Sequence, residues 1–187
     1  MNIPNAITLS RLAVTAMTFV CLEMVADPAV PNPTLAWLAF GLFLGAAGTD
    51  FLDGYLARKW GMVTAFGRIA DPFADKVLTT GSFVVLLQFP AATEILTTWY
   101  VVVVIAREFL VTAIRGLVES SGRPFPADRL GKWKMVSQCW TIAALLTLVA
   151  GTDMWHWAAV LGFWVSLVLT VLSGVNYVWK ARGEIFT

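Results

Sequence analysis

The chain has 187 residues, of which 58% are hydrophobic and only 13% charged, and its mean hydropathy is +0.75. That balance excludes an ordinary soluble domain and predicts one all-α integral membrane domain over residues 1–187. The near-neutral formal net charge of +1 hides a strong asymmetry in where the charges sit, and no nucleic-acid partner is expected.

The opening residues, Asn2-Ile3-Pro4-Asn5-Ala6-Ile7-Thr8-Leu9-Ser10-Arg11, are too polar for a plain span. They predict a short amphipathic helix lying along the membrane interface before the chain turns inward. Six stretches then approach the roughly 20 apolar residues that spanning requires: 7–26, 34–57, 70–89, 95–118, 130–150 and 154–179. No small-x-small cleavage site precedes Asp27 and further spans follow, so the first stretch reads as an uncleaved helix rather than a leader. Asp27-Pro28 with Pro31 and Pro33 separates the first two spans, Pro90 the third from the fourth, and Gly151-Thr152-Asp153 the last two. Cys21 and Cys139 sit in apolar stretches without metal-ligand spacing and read as small buried residues.

The basic residues set the topology. With six spans, all 13 Lys and Arg fall on one side or in the helix halves nearest it. The opposite loops hold Asp27, Glu94, Asp153 and His156. Basic residues mark the cytoplasmic face, so both termini are expected there. Trp37, Trp99 and Trp155 on one side, with Trp60, Trp133 and Trp179 on the other, suit interfacial belts. His156 stands alone on the far side.

Four aspartates, Asp50, Asp53, Asp71 and Asp75, lie within 26 residues at the cytoplasmic ends of spans two and three. At about 100° per residue, Asp50, Asp53 and Ala57 fall within about 60° of one another, and Asp71 and Asp75 share a stripe in the same way. A carboxylate at mid-bilayer costs roughly 2.5–3.5 kcal/mol, so four of them require a wet cavity and a cation. Hard oxygen ligands gathered like this suit Mg²⁺ or Mn²⁺. Helix-end capping and pairing with Arg58, Lys59 and Lys76 is the simpler alternative. It accounts for Asp71 and Asp75 at a helix start, but not for Asp50 and Asp53 near a helix C-terminus, where the dipole disfavours them. Gly54 and Ala57 are small on or near the aspartate face, either for close helix packing or to leave room for a flat ligand.

Spans four and five bring cations to the same side. Arg107 and Arg115 lie about 80° apart around one helix, and Gly131-Lys132-Trp133-Lys134 opens the next. Arg107 interrupts the apolar run 99–106 and so either pairs with Glu108 or an aspartate, or meets a ligand. Cations beside a carboxylate–metal site suit an anionic substrate such as a phosphate.

The segment Asp50–Asp75 resembles the signature of the CDP-alcohol phosphotransferase family, DxxDGxxAR, eight residues, then GxxxDxxxD. Asp50, Asp53, Gly54, Ala57, Arg58, Gly67, Asp71 and Asp75 occupy every fixed position. Residues 2–11, Ala106-Arg107-Glu108 and Leu130-Gly131-Lys132-Trp133-Lys134 look like the branch whose acceptor is glycerol 3-phosphate, with Trp133 and Met135 as departures. The resemblance implies a homodimeric membrane enzyme with a cytosol-facing cavity for CDP-diacylglycerol and an alcohol acceptor. It implies one or two Mg²⁺ or Mn²⁺ ions on Asp50, Asp53, Asp71 and Asp75, with Asp75 a ligand, the general base, or both. Asp50, Gly54, Ala57, Arg58 and Gly67 would border the CDP-diacylglycerol head, and Arg107, Arg115, Lys132, Lys134 and Lys76 the acceptor phosphate. Siblings using inositol phosphate, phosphatidylglycerol or serine are the near alternatives, and a divalent-cation transporter the distant one. A transporter needs ionisable groups at mid-depth and a route to the far face, whereas here the charges crowd one side.

Overall fold

The computed structural model describes residues 3–26, 32–60, 65–120 and 128–185, with the side chains described except at 3–4, 50–60, 65–66, 68 and 184–185. Every element among them is helical: α1 (Ile3–Ala26), α2 (Pro33–Trp60), α3 (Ala65–Leu86), the short α4 (Pro90–Thr93), α5 (Thr98–Ser120), α6 (Arg129–Val149), a 3₁₀ turn (Asp153–Trp155) and α7 (His156–Ile185). The six long helices coincide with the six apolar stretches. The breaks obey local chemistry. Pro90 opens α4 where its missing N–H costs nothing. Gly151 closes α6 at φ +82°, a conformation that glycine adopts without strain, while Gly151 N–H and Thr152 N–H bond back to the Leu148 and Thr147 carbonyls at 2.9 and 3.0 Å.

One expectation is corrected. The polar opening is not a separate interfacial helix but the first turns of a continuous 24-residue α1. Four of the polar residues of α1 are internal: Thr8, Arg11, Thr15 and Thr18, spaced three, four and three apart, are each at most 1% exposed and form one stripe. Pro4 stands in the first turn of α1, where proline is tolerated, and no later breaker bends the helix.

Around this stripe α1 packs on α2 and α3, α6 on α7, α2 and α3, and α5 on α7 and α3. The main core runs through Leu22, Phe43, Leu78, Phe83, Tyr100, Ile142 and Leu145. Tyr100 meets Phe83 and Phe163 at ring-centroid distances of 5.2 and 4.8 Å, and its hydroxyl shares a 2.6 Å hydrogen bond with Ser166. The α6 and α7 helices approach closely at Gly162, where an added Cβ would lie 2.8 Å from Thr141 Oγ1 and 2.9 Å from Trp140 Cδ1. The burial pattern departs from that of a soluble bundle. Ser137, Gln138, Thr141, Thr170 and Ser173 are buried, while Val20, Phe109, Trp157 and Val175 are exposed. Two helical segments, Asn5–Ala26 and Asp153–Gly183, are long and apolar enough by themselves to cross a membrane.

Candidate active site

The acidic half rests on α2 and α3. Asp50, Asp53, Gly54, Ala57 and Arg58 lie on the last turns of α2, and their side chains fall outside the described residues. On α3, Gly67 is buried in the first turn, and Asp71 and Asp75, one turn apart, are half-buried. Pro72 stands between them and removes an internal N–H donor from that turn. Thr8 Oγ1 of α1 donates to Asp71 Oδ1 at 2.6 Å, so the α1 stripe fixes the orientation of this carboxylate. No three His, Cys, Asp or Glu among the described residues gather closely enough to hold a metal ion. The donor chemistry of Asp71 and Asp75, two hard carboxylates on one stripe, is compatible with a divalent cation that has further ligands on α2.

The basic half is assembled from three helices. On α5, Arg107 is 9% exposed and its Nη1 donates to Glu108 Oε1 at 3.0 Å. Lys134 of α6 donates to the same oxygen at 2.6 Å. Lys76 of α3 bonds Thr112 Oγ1 and lies within electrostatic reach of Glu108, Arg115, Asp75 and Lys134. Three cations, Arg107, Lys134 and Lys76, thus gather about one carboxylate, with Arg115 and Asp75 within reach of Lys76. Arg107 pairs with Glu108, while its buried Nε and Nη2, like Nε of Arg115, find no hydrogen-bond partner among the described residues. Lys132 is exposed and joins none of these contacts. A groove of about 570 Å³ between α3 and α5 contains Lys76, Glu108 and Thr112 among apolar residues that include Phe73 and Phe109.

The α7 helix, to which the sequence assigned no site residue, completes the basic half. Tyr177 Oη accepts from Arg115 Nη2 at 3.0 Å and from the Asp128 backbone N–H at 3.3 Å. Its ring lies under Arg107, with Cζ 5.6 Å from the centroid. Asp128, the residue before α6, accepts from Asn176 and from Lys180 at 3.3 Å. Partial burial raises the Asp128 carboxyl, but the hydrogen bonds from Lys180 and Asn176 and the charge of Lys180 outweigh it, holding this group below the usual aspartate value. Thr8 and Tyr177 are the residues to which motif reading gave no role. Glu108 was visible as the neighbour of Arg107 and Thr8 as part of the polar opening, whereas a single tyrosine in an apolar helix gave no signal.

Comparison with known proteins gives the family of the chain. The sequence pattern of the CDP-alcohol phosphatidyltransferase family matches residues 1–172. The CDP-diacylglycerol–glycerol-3-phosphate 3-phosphatidyltransferase of Bacillus subtilis is 36% identical over 96% of this chain and 94% of its own length. Proteins of the same name from Rickettsia bellii and Haemophilus influenzae are 32% and 29% identical, covering 99% and 98% of this chain and 97% and 95% of theirs.

Proposed function

Because the chain belongs to the CDP-alcohol phosphatidyltransferase family, we propose that it transfers the phosphatidyl group of CDP-diacylglycerol to glycerol 3-phosphate, forming phosphatidylglycerophosphate and releasing CMP. The observation that carries the choice of acceptor is the buried Arg107, paired on one side by Glu108 and open at Nε and Nη2. A buried guanidinium with open donors is costly unless an anion completes it. The acceptor's phosphate supplies that anion.

The domain occupies residues 1–187 with six spans, α1, α2, α3, α5, α6 and α7. At 1.5 Å per residue, lengths of 21 to 30 residues exceed the roughly 30 Å hydrocarbon thickness. The one-sided Lys and Arg argue that both termini and the site face the cytoplasm, and the outward apolar side chains argue for lipid around the bundle. The family resemblance adds a homodimer.

In the reaction, Arg107, Arg115, Lys134 and Lys76 bind the acceptor phosphate, with Lys132 at the exposed margin. Asp50, Gly54, Ala57, Arg58 and Gly67 border the CDP-diacylglycerol head. Asp75 accepts the proton of the acceptor hydroxyl. The hydroxyl oxygen attacks the phosphorus that carries diacylglycerol, and the bond to the CMP oxygen breaks. One or two Mg²⁺ or Mn²⁺ ions on Asp50, Asp53, Asp71 and Asp75 would supply charge neutralisation to the pyrophosphate. Anchoring the acceptor at its phosphate makes attack a positioned, effectively unimolecular event. Water lacks that anchor, so hydrolysis is disfavoured.

The test is CMP release by the purified chain in detergent with CDP-diacylglycerol and Mg²⁺, offering glycerol 3-phosphate, inositol phosphate, phosphatidylglycerol or serine separately. Release with glycerol 3-phosphate, lowered by roughly 10²–10⁴ in Asp75→Asn, is the expected result. Release with another acceptor alone overturns the acceptor assignment, and none with any acceptor from folded protein overturns the reaction.

A further inference from the structure

Among the described residues, Tyr177 touches both arginines of α5 and the start of α6. Arg107 and Arg115 are eight residues apart, about 12 Å along a helix axis, too far for either to steady the other directly. Tyr177, 3% exposed on α7, bridges that gap with two different parts of one side chain. Its ring underlies the Arg107 guanidinium, Cζ lying 5.6 Å from the centroid. Its oxygen accepts from Arg115 Nη2 at 3.0 Å and from the Asp128 N–H at 3.3 Å. The tyrosine is itself held on both sides along α7, since Asn176 and Lys180 both bond the Asp128 carboxylate. Behind Arg107, Gly174 of the same helix leaves room for the arginine stem, because a Cβ there would lie 3.3 Å from Arg107 Cγ.

A free arginine side chain carries about 2 kcal/mol of rotamer entropy, which binding an anion must otherwise overcome. Stacking and hydrogen bonding from Tyr177 fix both arginines beforehand while leaving Arg107 Nε and Nη2 and Arg115 Nε open. Glu108 does not do this for Arg115, because its carboxylate bonds Arg107 and Lys134. We propose that Tyr177 is a positioning residue for the acceptor phosphate: it presets Arg107 and Arg115, acting through them without touching substrate. This rests on the reading that these arginines bind the acceptor's phosphate.

The test is steady-state kinetics of the full chain in detergent micelles, with CDP-diacylglycerol and glycerol 3-phosphate varied separately. Wild type, Tyr177→Phe, Arg115→Ala and the double variant are compared. Phenylalanine keeps the ring and the packing, so loss of the fold is not expected, and gel filtration checks it. Tyr177→Phe is expected to raise KM for glycerol 3-phosphate roughly 3–10-fold, the net worth of one typical hydrogen bond. The value of kcat and the KM for CDP-diacylglycerol stay within about twofold, a split that a merely structural role would not produce. In the Arg115→Ala background the same change adds less than about twofold, because the partner through which it acts is gone. Tyr177→Leu, which also removes the ring beneath Arg107, raises the acceptor KM further than Tyr177→Phe does. An unchanged acceptor KM in Tyr177→Phe, equal loss in kcat and both KM values, or full additivity with Arg115→Ala overturns the proposal while leaving the acceptor reading intact. Wild-type protein that releases CMP but ignores glycerol 3-phosphate overturns the acceptor reading, and this proposal falls with it.

Discussion

On α2 and α3 the four aspartates come from 26 consecutive residues, whereas the neighbouring cations come from α3, α5 and α6 and are tied together by Glu108 and by Tyr177 of α7. The acidic half is a local pattern: helical periodicity alone sets which carboxylates share a stripe. The basic half is a tertiary product, and its cations would repel one another without the carboxylate and the ring between them. A metal-type site can therefore be written in a short motif, whereas an anion site spread over several spans depends on packing.

The sharpest way to break that comparison is Arg107→Ala. It is expected to raise KM for glycerol 3-phosphate roughly 10–100-fold, the range for a charge-assisted hydrogen-bonded contact, with KM for CDP-diacylglycerol within about threefold. Lys132→Ala, on an exposed side chain outside the cluster, changes either by no more than about twofold. Equal losses from the two variants would show that the cations act as a diffuse charge rather than a built site.

If the basic half depends on packing, crowding α7 against α6 must weaken it. Gly162→Ala places a methyl against Thr141 and Trp140 and is expected to destabilise by about 1–3 kcal/mol, lowering the thermal midpoint by several degrees. Gly41→Ala, with nothing within 4 Å of the new Cβ, is expected to be neutral or slightly stabilising. Equal midpoints for the two variants would contradict the close α6–α7 contact.

The smallest effect concerns Asp128. Its folded pKa lies below the ordinary value of 3.8, so its contacts with α7 stabilise fully above that value and are lost as pH falls through the lower folded one. The thermal-midpoint advantage of wild type over Asp128→Asn should hold from about pH 7 to 5 and shrink below about pH 4. An advantage independent of pH would mean that the charge of Asp128 is not what holds α7.

How much was legible in advance follows the same division. The six long helices were readable from apolar runs punctuated by proline and glycine, because such breakers act locally. Asp71 and Asp75 fell on one stripe of α3, as their spacing required. The N-terminal segment was misread because polarity in a membrane-type chain was taken as contact with the interface. Thr8 and Arg11 instead face the interior, with Thr8 bonded to Asp71. Partnership with a helix distant in sequence cannot be read from periodicity. Tyr177 was hidden for the same reason, since its role is created by Arg107, Arg115 and Asp128 arriving from two other helices.

The central claim is that an acidic half serves the metal and a basic half serves the acceptor. Its most direct test titrates Mg²⁺ and glycerol 3-phosphate separately on wild type, Asp71→Asn and Arg107→Ala. Asp71→Asn should raise the half-saturating Mg²⁺ concentration roughly 10–100-fold with the acceptor KM within about threefold, and Arg107→Ala should do the reverse. Variants that each shift both quantities by similar factors would contradict the division.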